Sequence, residues 1–188
     1  MAEKNKSTRG LSGFSETDAQ RSGARLQSPE VERQRLVIPA SLFQLTLTRL
    51  NERSAGWRES AAIWIGQLDG NDAVASDVLF HHELCDDGAG PLFVELTERA
   101  KFDLYRNIGA SGKKLVGMIH THPEEWVGLS ESDQRNQICS RVGFWSLVAP
   151  WYGKPPWELG SMGVHVRIDS GWYQHIGADI FAHVIVAK

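Results

Sequence analysis

The residues that could do chemistry gather between positions 120 and 133, where His120-Thr121-His122-Pro123 is followed, after Glu124 to Leu129, by Ser130-Glu131-Ser132-Asp133. Imidazoles and a carboxylate are the ligands of a catalytic zinc ion, and three protein ligands leave the fourth tetrahedral position open to water, as hydrolysis requires. Leu115, Val116, Met118 and Ile119 form a short apolar run after the turn-like Gly109-Ala110-Ser111-Gly112, which predicts a buried strand arriving at His120. Strand residues two apart face the same side, so His120 and His122 can offer both rings to one ion. Pro123 has no N–H to continue a ladder and ends the strand. Ser130 suits the N-cap of a helix with Glu131 and Asp133 in its first turn, and residues three apart share a helix face. The expected metal ligands are therefore His120, His122 and Asp133. A serine with an aspartate three residues on is by itself an ordinary helix start, and a lone histidine an ordinary core or surface side chain. The joint spacing is what points to a metal.

These residues need a scaffold, and hydrophobic periodicity supplies one. Leu36-Val37-Ile38 reads as a first strand, and Pro39 opens a helix whose Phe43, Leu47 and Leu50 recur at i, i+4 and i+7. Strands are expected near 61–68 and 73–80, and a second helix near 97–108 carries Ala100, Leu104 and Ile108 on one face. After the helix at Ser130, 144–149 is strand-like, and further strands are expected near 163–168, 172–176 and 180–186. This order gives an α+β domain around a mixed sheet over residues 35–188. Residues 1–34, rich in Ser, Gly, Gln, Lys, Arg and Glu, cannot bury enough surface to offset their ordering entropy and read as a disordered tail.

The constellation resembles the JAMM (MPN-positive) metalloprotease family, whose signature is His-x-His-Pro, six residues, then Ser-x-x-Asp, with a distant upstream Glu. That upstream element, a Glu opening a small-residue-rich apolar strand that ends in Gly, is similar to Glu59-Ser60-Ala61-Ala62-Ile63-Trp64-Ile65-Gly66. Glu52, Glu83, Glu95 and Glu98 also lie in the upstream region, but only Glu59 precedes such a strand. The resemblance spans about 36–188 and implies a cytidine-deaminase-like α-β-α sandwich. It also implies zinc as cofactor, Glu59 as general base and then acid, and Ser130 as the hydroxyl that stabilises the oxyanion. Two positions depart from the family pattern. Gly128 stands where an aromatic residue often precedes the Leu-Ser pair, with Trp126 two residues earlier, and Ala62 replaces a frequent Gly.

What the resemblance implies for function is a zinc-dependent isopeptidase or peptidase cleaving after the C-terminal tail of a ubiquitin-like modifier, by deconjugation or precursor processing. Compact size makes the chain most like bacterial members of ubiquitin-like conjugation systems, some of which act against phage. Processing of a sulfur-carrier protein and a non-catalytic MPN scaffold are the alternatives. Trp151 and Trp157, on a proline-punctuated stretch with Pro150, Pro155 and Pro156, are candidates for substrate binding, since rigid aromatics are common anchors; Trp145 is expected to pack in the domain.

Other clusters carry less. His82-Glu83 could start a zincin helix motif, but position 86 is Asp, and Cys85-Asp86-Asp87-Gly88 reads as a turn. His81 and His82 read as surface or strand-end residues, and His165, His175 and His183 as isolated structural ones. A net charge of −3 without a basic, aromatic-interleaved cluster argues against nucleic acid. Cys85 and Cys139 are in no metal-ligand spacing and read as free thiols. No membrane-length apolar stretch and no apolar signal core is visible, so a cytoplasmic location is expected.

Overall fold

The computed structural model describes residues 34–84, 89–90, 93–94 and 96–188. All but Gln34 of the expected tail at 1–34 lies outside the described residues, as does the turn read at 85–88. Strand β1 (Arg35–Pro39) runs directly into helix α1 (Ala40–Ser54), with Pro39 as the N-cap residue at φ −56°. Its fixed φ is shared by extended and helical backbone, so the chain changes state there without a loop. A β-hairpin of β2 (Ala61–Asp69) and β3 (Asp72–Phe80) follows, then a single helical turn, α2 (His81–Leu84). Two-residue strands β4 (Ala89–Gly90) and β5 (Phe93–Val94) pair with each other alone. Helix α3 (Glu98–Ser111) starts where the Thr97 side chain accepts the Ala100 N–H and stops at Gly112, whose φ of 70° the glycine alone adopts freely.

The remaining elements are β6 (Lys114–Thr121), α4 (Glu131–Arg135), β7 (Trp145–Ala149), β8 (Gly163–Ile168), β9 (Gly171–His175), α5 (Ala178–His183) and β10 (Val184–Ala187). One mixed eight-stranded sheet takes the order β10-β1-β3-β2-β6-β7-β8-β9. Its parallel pairs are β1 with β10, β1 with β3, and β6 with β7; the others are antiparallel.

Alternation on β2 shows how both faces are covered. Ala62 and Trp64 join the core that holds Phe43, Leu47 and Leu50 of α1, whereas Ile63 and Ile65 join a second core with Ala100, Leu104 and Ile108 of α3. Side chains with period two thus feed two cores from one strand. Trp64, fully buried, satisfies its indole N–H on Thr46 Oγ1 at 3.1 Å, and Thr46 in turn donates to the Leu42 carbonyl. Trp145 is fully buried too, as expected. The antiparallel ladder of β2 carries a bulge between Ile65 and Gly66. A Cβ on Gly66 would stand 1.9 Å from the Val74 carbonyl oxygen, so only glycine fits this approach.

The architecture is α+β around a mixed sheet with few helices. The sequence departs from it most at the C-terminal end, where the apolar run read as a strand over 180–186 divides into α5 and β10. Gly177, at φ 58°, turns the chain after β9 so that Ile180 enters the core and Phe181 stays exposed, a helical rather than an alternating pattern. No helix among the described residues is long and apolar enough to cross a membrane.

Candidate metal centre

His120 is the last residue but one of β6, pairing in register with Ala61 on one side and Val148 on the other. His122 lies just past the strand end, yet its N–H still reaches the Ala149 carbonyl at 2.9 Å, so the strand geometry carries through both histidines. Both rings are buried, and their Nε2 atoms stand 3.1 Å apart. Asp133 completes the group, with one carboxylate oxygen 3.5 Å from His120 Nε2 and the other 3.5 Å from His122 Nε2.

These separations test whether a metal fits. Ligands at about 2.0–2.1 Å from a tetrahedral zinc lie about 3.3 Å from one another; the Nε2–Nε2 distance and the distance from each nitrogen to its nearer Asp133 oxygen lie within a few tenths of an ångström of that value. Tautomer chemistry agrees. His122 Nδ1 donates to the Trp126 carbonyl at 2.9 Å, which leaves a lone pair on Nε2 facing the other two donors. His120 Nδ1 has no partner among the described residues, so that ring can hold its proton there and turn a second Nε2 lone pair to an ion. The donor set fits zinc.

Asp133 is oriented by the start of its own helix. The Ser130 N–H donates to Asp133 Oδ2 at 2.7 Å, and the Asp133 N–H donates to Ser130 Oγ at 3.1 Å, a reciprocal capping box. Burial pushes the Asp133 carboxyl up, but the facing His120 and His122 rings and the Ser130 side chain outweigh it, and the group is held well below the usual carboxylate range. In His122 burial pulls downward, and Asp133, the Trp126 carbonyl and Glu59 together reverse it, for a net rise.

Glu59 sits two residues before the first of β2, buried, with its carboxyl pushed up to about 7. Burial is the main cause; the His122 charge lowers the value and Asp133 raises it, so Glu59 shares the field of this centre. A buried cluster of hydroxyls fixes its backbone. Ser60 N–H donates to Thr121 Oγ1 at 2.9 Å, Thr121 N–H donates to the Ser60 carbonyl at 2.9 Å, and Ser60 Oγ donates to the Leu50 carbonyl. Ser54 Oγ lies 2.9 Å from Ser60 Oγ and 3.3 Å from Thr121 Oγ1. Sequence reading missed this trio. The hydroxyl residues sit beside Glu59 and the histidines in sequence, but nothing local shows that they converge.

The two departures from the family pattern acquire a physical setting. The Trp126 ring stacks on His122 at a centroid distance of 5.3 Å and 13° between planes. A Cβ on Gly128 would come within 2.5 Å of that ring, so the glycine leaves the space that Trp126 fills. Ala62 is completely buried. The loop between the histidines and Ser130 is itself seated tightly, because a Cβ on Gly163 would stand 1.9 Å from the Val127 carbonyl oxygen.

Beyond Pro123 opens a cleft of about 410 Å³ lined by Pro150, Trp151, Tyr152, Trp157 and Met162. A smaller recess is bordered by Ser132 and by two of the three candidate ligands, His120 and Asp133. The cleft wall is bonded to the histidine segment: Tyr152 N–H donates to the His122 carbonyl at 2.7 Å and Trp151 N–H to that of Glu124 at 3.1 Å. Trp151, Tyr152 and Gly153 are consecutive left-handed residues, with φ of 54°, 56° and 67°. Trp151 is half exposed, whereas Trp157 packs partly buried against the core and donates to the Gly153 carbonyl at 2.7 Å. The two tryptophans thus play unlike parts in one wall.

The other histidines separate. His81 is buried at the end of β3 and His82 follows it on α2, where Glu83 accepts the Phe80 N–H. His165 is buried beside the Ser146 carbonyl. His175 and His183, expected to be isolated, instead meet at Asp179. Their spacing, with Asp179 four residues from each, is a helical signal hidden by the strand-like apolar run around it. Cys139 is a free thiol, and Cys85 lies outside the described residues.

Comparison with known proteins bears on the fold. No protein-family model and no curated protein matches the chain. Among solved structures, the chain is similar to protein DSY2949 from Desulfitobacterium hafniense, at 14% identity and a TM-score of 0.58 over 81% of this chain and 93% of that one. It also aligns with AF2198, a JAB1/MPN domain protein from Archaeoglobus fulgidus, at 18% identity over 81% of this chain and 99% of that one, with a TM-score of 0.42. The former likeness, at low identity, is one of fold alone.

Proposed function

We propose that this chain is a zinc metallopeptidase of the JAMM type, built on a cytidine-deaminase-like α-β-α sandwich, that cleaves after the C-terminal tail of a ubiquitin-like modifier. One observation carries the reading. His120 and His122 hold their Nε2 atoms 3.1 Å apart, each 3.5 Å from an oxygen of the Asp133 carboxylate, within the field of a buried carboxyl, Glu59, poised near neutrality.

Zinc, when bound, supplies the Lewis acidity that makes water nucleophilic at neutral pH and polarises the scissile carbonyl. The chain's own groups do the rest. Glu59, ionised, takes a proton from the attacking water and returns it to the departing amine; a carboxyl near 7 can serve in both directions. Ser130 Oγ has a lone pair engaged by the Asp133 N–H, so its own proton is free to donate to the oxyanion that forms at the carbonyl. The aromatic cleft beyond Pro123 lies where an extended tail could run, with Trp151 as its exposed anchor. Glycines at the tail's end would let it enter the narrow recess at the ligands.

The test combines metal content with turnover on a modifier whose C-terminus is fused to a reporter. Wild type should hold zinc and hydrolyse the fusion, and chelation should abolish hydrolysis until zinc is restored. Glu59→Gln should retain zinc and lose turnover by at least about a hundredfold, the usual scale for removing a general base. Zinc binding without hydrolysis of either a ubiquitin-like or a sulfur-carrier fusion would favour a scaffold. Full zinc content in His120→Ala/His122→Ala would overturn the ligand assignment.

A further inference from the structure

A second group of donors lies outside the motif, two strands beyond β7. Gly177 reverses the chain after β9, and α5 then presents Asp179 and His183 four residues apart on one face, toward His175 at the end of β9. His175 Nδ1 stands 2.7 Å from Asp179 Oδ2, and His183 Nε2 stands 3.4 Å from Asp179 Oδ1. The imidazole rings lie against each other, with centroids 4.3 Å apart. His175 is 1% exposed and His183 buried, while the Asp179 side chain is 37% exposed, so the group is walled on two sides and open on the third.

The hydrogen bonds around it leave charge unaccounted for. His183 Nδ1 donates to the Gln34 carbonyl at 2.8 Å, and a carbonyl only accepts, so that nitrogen carries the proton. In the neutral ring Nε2 then bears a lone pair directed at a carboxylate oxygen. Two acceptors face each other unless a cation stands between them. With no ion present His175 Nδ1 carries the ring proton and donates to Asp179 Oδ2; Nε2, buried without a partner among the described residues, is where that proton goes when an ion takes its place on Nδ1. A second proton on His183 would relieve the same clash, but it would put an imidazolium against the face of the neighbouring His175.

We propose that His175, Asp179 and His183 form a second divalent-metal site of the zinc class, with water completing the shell on the exposed side of Asp179. Two imidazoles and a carboxylate are donors suited to zinc and its neighbours in the transition series, and the 3.4 Å edge is that of a tetrahedral site of about 3.3 Å. On binding, the His175 proton resides on Nε2, and the 2.7 Å hydrogen bond to Asp179 opens to a ligand–ligand edge. The placement gives the site a structural role. His175 belongs to β9, the last strand at one edge of the sheet, whereas Gln34 precedes β1 and His183 precedes β10 at the opposite edge. An ion held here ties the two edges through α5.

Zinc content measured by metal analysis on the full chain, after equilibration with zinc and removal of the free ion, tests this. Wild type should hold two ions per chain, His120→Ala/His122→Ala one, and the same variant with Asp179→Asn and His183→Gln none. An ion lost from wild type on His183→Gln alone while a second fails to appear at His120 and His122 would support this site and sink the other. No zinc in His120→Ala/His122→Ala, or an ion there that survives Asp179→Asn/His183→Gln, would overturn the proposal. Should the combined variant fail to fold, thermal unfolding of His120→Ala/His122→Ala decides. Zinc should raise its midpoint in a concentration-dependent way, and an unchanged midpoint overturns the site.

Discussion

In the proposed mechanism Ser130 joins two roles in one atom. Its Oγ accepts the Asp133 N–H and so caps α4, and the same hydroxyl keeps a proton to donate. Ser130→Ala is therefore expected to lower thermal stability by about 1 kcal/mol, as lost caps do, and turnover by a hundredfold or more, as lost oxyanion donors do. A variant that loses stability alone would assign Ser130 to the cap. His165 makes a separate, pH-dependent prediction. Burial, only partly offset by the Ser146 carbonyl, pulls it down to about 4, against about 6.5 for an unfolded chain. The unfolded state then binds the extra proton first as pH falls, so stability present above about 6.5 is lost progressively down to about 4, by a total on the order of 3 kcal/mol. Urea midpoints from pH 7.5 to 4.5 should fall less steeply for His165→Gln than for wild type; equal slopes would exclude this histidine as the cause.

At the scale of elements, what was legible followed from local rules. The strand before His120 and the capped helix after Ser130 declare themselves through an apolar run, a proline and a cap, and each determines where a ligand points. Helices α1 and α3 likewise follow from one apolar face each. The hydroxyl trio of Ser54, Ser60 and Thr121 did not, because β2 must pair with β6 before those residues meet. Helix α5 was hidden for another reason: a short apolar run fits a strand and a helix equally, and only Gly177 and the core position of Ile180 decide between them. The aromatic wall after β7 also divides at this scale. Trp151→Ala should raise the KM for a full modifier several-fold with little change in zinc content or melting temperature, because the side chain is half exposed. Trp157→Ala should instead lower the melting temperature, since the ring packs on the core and its N–H holds the Gly153 carbonyl. The opposite assignment would show that the tail docks elsewhere.

Across the whole molecule, the middle of the sheet and its edges are organised differently. The proposed catalytic centre rests on central strands, β2 and β6, whose side chains feed both cores, so its geometry is backed by the most buried part of the fold. At one edge the register of β10 depends on β1, a partner distant in sequence, which is why periodicity stops short there. The pairing of Leu36 with Val184, described above as one parallel ladder among several, also has a temporal meaning. β1 is an interior strand, yet one of its two neighbours is made almost a full domain later in synthesis. Until then its outer row of amides has no mate, and a naked strand edge templates association with other chains. High contact order of this kind slows folding and prolongs that exposure. A nascent chain lacking residues 184–187 should consequently keep much of its helical signal but aggregate in a concentration-dependent manner, visible by light scattering. If it stays monomeric, α5 alone protects the edge.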